Sequence, residues 1–209
     1  MSAELDTTHL LAVAAALGWA SGLRLYAVVF LTGLAGHLGW VPLPSGLAVL
    51  QQPAVLWASG ALLLVEFLAD KVPWVDSLWD AVHTFIRIPA GAALAWGVFG
   101  GDQTTWATVA ALLGGTLAAT SHAAKATTRA AANTSPEPFS NLLLSLAGDA
   151  AVPGMLWLSW AHPVWFFVVL AITVVAMIAV TVVLFSFLRG LGRKLRGHFA
   201  PTRAGSGAL

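Results

Sequence analysis

The sequence predicts an all-α fold, a polytopic helical membrane protein with about six membrane segments, and three observations carry that prediction. Only 9% of the 209 residues are charged, roughly a third of the ~25% usual in a soluble domain and too few to cover a water-facing surface. Fully 58% are hydrophobic, and the mean hydropathy is +0.83. The apolar residues also gather into long runs separated by Pro, Gly and polar turns. At about 20 residues per span, the length allows five to seven crossings and leaves almost nothing for a soluble domain. Residues 1–188 therefore read as a single integral membrane domain, and residues 189–209 as a basic cytoplasmic tail.

The first segment, about residues 9–38, is too long for one upright span, with Gly18, Gly22, Gly33 and Gly36 as weak points. The turn "WVPLPSG" comes next, then a second segment at about 53–70 and a third from about 75 to 100, interrupted by Pro89. "GGDQTT" is a turn whose threonines can cap a helix. The fourth segment starts near Trp106 and loses its apolar character after Ala119, and "NTSPEPFSN" is a loop. The fifth, about 139–160, is broken by Gly148, Asp149, Pro153 and Gly154. The sixth, about 164–188, is free of Gly and Pro and reads as a conventional span. Proline removes a backbone donor and clashes with the preceding turn, so segments three and five are expected to be discontinuous helices.

Arg189, Arg193, Lys194, Arg196 and Arg203 hold half of the ten Lys and Arg. By the positive-inside rule this tail is cytoplasmic. Six crossings then put the N-terminus there too, together with the turns carrying Lys71, Lys125 and Arg129. The acidic start "MSAELDTTHLL" does not resemble a signal peptide, so no cleaved leader is expected. "AAALGWASGLRLY" (14–26) and "AALLGGTLAATSH" (110–122) begin alike, and each half has a proline-interrupted segment. These features suggest candidate repeats at 9–100 and 105–188, inverted as in many transporters.

The scarce charges are concentrated. "KVPWVDSLWDAVHTFIRIPAG" places five ionisable residues in seventeen positions. Asp76, Asp80, His83 and Arg87, at spacings of 4, 3 and 4, share an arc of about 60° on a helix. Glu66 and Asp70 precede them, four apart. His122, Lys125, Arg129 and Asn133 form a mainly basic stripe in the second half, while Arg24 and Asp149 stand alone in apolar surroundings. A charge at the centre of a membrane helix costs at least ~2.5–3.5 kcal/mol, so these groups need one another or a water-filled cavity. The candidate binding set is Arg24, Glu66, Asp70, Asp80, His83, Arg87, His122, Lys125, Arg129 and Asp149. The plain alternative is structural pairing, with Lys71, Asp76, Lys125 and Arg129 solvated at the cytoplasmic surface. His9, His37, His162, His198 and the ten Trp read as interfacial or packing residues.

"SGLRLYAVVFLTGLAGHLG", "EFLADKVPWVDSLWDAVHTFIRIPAGA" and "HAAKATTRAAANTSPEPFSNLLLSLAGD" resemble the bacterial membrane family catalogued as domain of unknown function 4126, over nearly all of residues 10–185. The resemblance implies a location in the bacterial inner (plasma) membrane and carries no activity with it.

Composition and motifs then bound the function. Absence of cysteine excludes disulfides, thiolate metal sites and Cys nucleophiles. Net charge +1 gives no attraction to nucleic acid. No H-E-x-x-H, G-x-S-x-G or P-loop is present, and "LAGD" at 146–149 falls short of an intramembrane aspartyl protease motif. No catalytic residue, metal or cofactor is expected. The leading expectation is a transporter or channel-like protein, compatible with a homo-oligomer, moving a charged or polar solute through the intramembrane charges. Proton-coupled movement of an anion or of a lipid-phosphate head group is the specific form, with His83 able to titrate near neutrality. The first alternative is a scaffold or accessory subunit with structural ion pairs. The second is a membrane enzyme or metal site on Asp80-x-x-His83, a carboxylate–His spacing found in helical metal sites.

Overall fold

A computed structural model describes residues 6–72, 74–100, 103–134 and 138–199 of the chain. Arg203 and the tail beyond residue 199 lie outside them, as do the side chains of Lys194, Arg196 and His198 and positions 101–102 and 135–137 of two expected turns. The described residues form six helices and no strand: α1 Thr7–His37, α2 Pro53–Ala69, α3 Val75–Phe99, α4 Thr104–Ala132, α5 Pro138–Ala161 and α6 Pro163–Phe199. A short 3₁₀ turn, Ser45–Gln51, precedes α2. Among the described residues, four helices (α1, α3, α5 and α6) are long and apolar enough to cross a membrane, or five if the bent pair of the 3₁₀ turn and α2 counts as one. The interspersed Thr and Gly of α4 keep it below that mark.

Most of the apolar stretch of α1 is buried (83%), against 6% for α6. A helix that is apolar all round belongs in the centre of the protein; α6 is peripheral and presents Ile172, Val175 and Val183 outward. Small residues allow the close approach around α1. A Cβ on Gly18 would collide with the Gly114 backbone, one on Gly22 with Ala118 and Ser121, and one on Gly91 would come within 2.7 Å of Ala118. Gly18/Gly22, Gly91/Ala95 and Gly114/Ala118 are thus small-xxx-small pairs from three helices meeting at one crossing.

The expected helix breaks lie elsewhere. α3 runs on through Pro89 and α5 through Pro153; neighbouring structure in a membrane bundle can accommodate an internal proline. The one non-helical residue inside α1 is Arg24, at φ −147° and ψ 83°. Before it, α1 is antiparallel to α3, with Gly18 beside Gly91 and Leu23 sharing the Lys125 ammonium with Asp80. After it, α1 turns back. Gly33 and Gly36 meet Leu50, Leu56 and Leu43, while Gly46 of the same connection lies against Gly97 near the end of α3. A straight α1 would carry Gly33 away from Gly97 by about 1.5 Å per residue, so Arg24 is the tip of a folded-back helix.

This changes the topology expected for the N-terminus. The eleven residues before Gly18 rise about 16 Å, and the ten before Gly114 on α4 rise about 15 Å in the same direction. The start of α1 therefore lies at the end of the protein that holds the α3–α4 loop, opposite the α2–α3 turn. The first arm of α1 and α4 are parallel neighbours, so these two similar segments are not related as an inverted repeat. Two α4 side chains bond to carbonyls near the fold-back: Ser121 Oγ donates to Trp19 (2.7 Å) and Lys125 Nζ to Leu23 (3.1 Å).

Candidate functional site

The tip of α1 meets the C-terminal ends of α2 and α4, the N-terminal half of α3 and the middle of α5, and nearly every charge of the membrane domain converges there. The α3 stripe supplies Asp76, Asp80, His83 and Arg87, all buried, as the 4-3-4 spacing requires. Arg87 is fully buried and bridges Glu66 Oε1 and Asp80 Oδ1, each at 2.6 Å. Val75 to Arg87 is twelve residues, so Arg87 sits about 18 Å inside the helix end.

Asp70, the C-cap of α2, is fully buried and surrounded by three cations. Arg24 Nη1 lies at 3.1 Å, Lys125 Nζ at 3.1 Å and Arg129 Nη2 at 3.5 Å. Lys125 also reaches Asp80 at 3.1 Å, joining the Asp70 and Arg87 clusters. Arg129 pairs with Asp76 at 3.0 Å and donates to the Asp70 carbonyl at 2.6 Å. Arg24 Nε faces Asp149 at 2.9 Å, and its Nη2 donates to Ser145 Oγ (2.9 Å) and carbonyl (3.2 Å). Arg24 Nε and Nη1 approach carboxylates without hydrogen-bond alignment.

Lys71, in the turn after α2, closes the chain at 3.8 Å from Asp149. Its ammonium is pushed below its ordinary range, first by burial and then by Arg24 and Arg129, with Asp149 and Asp70 opposing. The network thus joins five cations (Arg24, Lys71, Arg87, Lys125, Arg129) and five carboxylates (Glu66, Asp70, Asp76, Asp80, Asp149). Its formal charges balance.

Two histidines flank it. The Thr84 hydroxyl donates to the Asp80 carbonyl (2.9 Å), so His122 Nε2 at 2.7 Å donates to Thr84, and its Nδ1 accepts from Arg87 at 3.3 Å. His83 Nδ1 donates to the Trp79 carbonyl (2.8 Å), leaving Nε2 to accept from Tyr26 at 3.1 Å. His83 also stacks on Trp79, with centroids 4.1 Å apart. Among the described residues it meets no carboxylate, although it shares the face of Asp80. Among the described residues no three His, Asp or Glu side chains are grouped to hold a metal ion, and Asp80 faces Arg87 and Lys125 instead of His83.

All ten candidate residues lie in or beside this region, with Asp149 the most open at 24% side-chain exposure. The surface reading of Asp76, Lys125 and Arg129 is corrected: each is buried, or nearly so, against partners on another helix. Sequence reasoning missed Ser145, Tyr26 and Thr84 as partners. Asn133, which shares the basic face of α4, donates to Ser77 at 3.0 Å.

The network opens into a cavity of about 710 Å³ between α1, α4, α5 and α6. Arg24, Asp70, Lys125 and Arg129 form its polar end, and Met155, Leu158, Val169 and Ile172 are among its apolar walls. Such a volume is in the usual range of ~300–1,000 Å³ for ligand sites.

A family model described as Domain of unknown function (DUF4126) matches residues 11–182 of the chain. No curated protein and no solved structure matches it.

Proposed function

The chain belongs to this family of unknown function, and we propose that it is a transporter or channel-like protein that moves a charged or polar solute through the buried ion network. The fold-back of α1 at Arg24, inside the network and on the wall of the cavity, is the observation that carries this reading. Non-helical backbone at membrane depth is tolerated only where it is buried in protein or lines a cavity, and broken helices are where transporters bind their cargo. Structural pairing alone accounts poorly for the charges, because apolar residues of similar volume would often stabilise as well.

Charge balance favours an anion moving with a proton. An added anion leaves one carboxylate without its cation unless that carboxylate is protonated. Lys71, Lys125, Arg129 and the C-terminal end of α6 share one end, which this reading assigns to the cytoplasmic face of the plasma membrane; the exposed face of α6 would meet lipid or a second copy of the chain.

The test uses proteoliposomes containing a luminal pH dye, given gradients of inorganic phosphate, acetate or potassium. Proton-linked movement of at least one of these by the wild type, lost in Asp80→Asn, is expected. Asp80→Asn leaves Arg87 with Glu66 and Lys125 with Asp70, so the variant should still purify intact. A second reading, a scaffold held by structural ion pairs, is favoured by the completeness of the pairing. It prevails if no probe moves while Asp80→Asn lowers thermal stability.

A further inference from the structure

Asp70 occupies a cradle built for an anion. Its carboxylate has no exposed surface and meets Arg24, Lys125 and Arg129 within 3.1 to 3.5 Å. The cradle forms one end of the cavity, whose remaining walls, apart from the hydroxyls of Thr128 and Thr173, are apolar side chains and small residues of α1, α4, α5 and α6. Arg24 is 2% exposed, and its Nη1 faces Asp70 at 3.1 Å and its Nε faces Asp149 at 2.9 Å, both without hydrogen-bond alignment. A small hydrophilic anion would leave most of such a cavity as apolar surface against water. A ligand with an anionic head and an apolar tail would satisfy both ends.

We propose that the cavity binds an anionic lipid, its phosphate taking the place of the Asp70 carboxylate among Arg24, Lys125 and Arg129 and its acyl chains lying between α5 and α6. This deepens the transport reading and rests on it only for movement of the lipid once bound. The cradle lies at the end of the protein where α2 and α4 finish. Little of α6 is buried, and α6 forms the outer wall, so chains would arrive sideways from the bilayer. The incoming phosphate meets Arg24 from α1, Lys125 and Arg129 from α4, and Asp149 from α5 behind Arg24. Lys71 and Asp76 lie just beyond. Displaced Asp70 takes up a proton, which with a singly charged phosphate keeps the balanced network neutral.

The test is binding of dioleoyl phosphatidic acid to the full-length protein in detergent, read by native mass spectrometry. Dioleoylglycerol, which has no phosphate, and inorganic phosphate, which has no tail, are the comparisons. Phosphatidic acid should bind, dioleoylglycerol should not, and millimolar inorganic phosphate should displace it little. Asp70→Asn removes the internal competitor and should tighten binding about tenfold, equivalent to ~1.4 kcal/mol; a structural Asp70 would give no gain.

Gly154→Trp keeps the proposal testable if Asp70→Asn does not fold. A Cβ at Gly154 meets nothing within 4 Å, so an indole there fills the cavity without touching an ion pair. It should abolish binding at unchanged melting temperature. Equal binding of dioleoylglycerol, equal affinity for phosphate alone, or undiminished binding by Gly154→Trp each overturns the proposal. Solute flux without phosphatidic acid binding sinks this inference and leaves transport standing. Binding without flux of any probe or lipid does the reverse.

Discussion

Replacing Arg87 by Gln isolates the energetic core of the network. Arg87 is fully buried, and its two terminal nitrogens hold Glu66 and Asp80 at 2.6 Å. The two carboxylates would not suffer equally. Asp80 keeps Lys125 at 3.1 Å. Glu66 is also fully buried, its Oε2 has no hydrogen-bond partner, and Arg87 is the cation at its other oxygen. Removing one partner of a buried pair costs about 3–5 kcal/mol, because the charge left behind has no compensation. Arg87→Gln should therefore lose about that much.

The double variant Glu66→Gln/Arg87→Gln removes both charges and should recover much of the loss. What remains is the altered hydrogen bonding at Asp80 and His122, about 1–2 kcal/mol. The cycle should thus show a coupling of about 2–3 kcal/mol plus the loss that Glu66→Gln causes alone, large as expected for residues in direct contact. Reversible unfolding in mixed micelles, monitored by circular dichroism for the wild type, both single variants and the double variant, measures it. Additive losses, or an Arg87→Gln cost below about 1 kcal/mol, as at an exposed ion pair, would refute a dry, charge-matched core.

Two further predictions rest on other parts of the chain. Gly114→Leu, which drives a side chain into Gly91 and Ala95, should cost about 1–3 kcal/mol or more by overpacking, whereas Gly154→Ala in open space should be neutral or gain about 0.5–1 kcal/mol; equal melting shifts would contradict the three-helix crossing. Asp6 caps α1 by accepting the His9 backbone N–H at 2.8 Å, and this bond first, with the His9 ring second, lowers its carboxyl pKa. A lowered folded-state pKa gives stability that is fully present above the ordinary carboxylate range and lost as pH falls through the folded value. Protection of the amides at residues 7–10, relative to their intrinsic exchange rate at each pH, should accordingly fall on acidification below that range in the wild type and be low at all pH in Asp6→Ala; a flat wild-type protection profile would count against the cap.

The helical segments were legible because their causes are local. Apolar runs and Pro/Gly punctuation place all six helices within a few residues, except that α4 extends through its polar stripe to Ala132 and α6 beyond the apolar run. The inward face of α3 was legible from the spacing of Asp76, Asp80, His83 and Arg87. The fold-back of α1 was not. Its four glycines suggested weak points, and none is the break. Arg24 has no local signature of a turn, and the backbone just before it, at Trp19 and Leu23, is held by Ser121 and Lys125 from α4, about a hundred residues on. Nor could sequence spacing say that Asp70 would meet three cations, since Arg24 reaches it only through the fold-back and Lys125 and Arg129 stand 55 and 59 residues along the chain. Asp76 looked like surface because it starts a helix beside a turn; Arg129 covers it from a neighbouring helix end.

That dependence joins fold to function. Arg24 reaches Asp70 and Asp149 only because α1 reverses there, and the reversal persists because Lys125 binds both the Leu23 carbonyl and Asp70. One ammonium therefore holds backbone and carboxylate together. If an anion displaces Asp70, Lys125 must shift toward the newcomer, and the tip of α1 is the backbone that this movement loosens first. The cations that would bind cargo are thus the ones that hold the folded-back helix shut. A charge-preserving change separates the two roles better than a deletion. Lys125→Arg keeps a cation beside Asp70 and Asp80, while its planar fork cannot reproduce the compact ammonium between Leu23 and Asp70. It should cost clearly less stability than Arg87→Gln and alter anion binding. A loss of stability as large as that of Arg87→Gln would mean that Lys125 serves the fold alone.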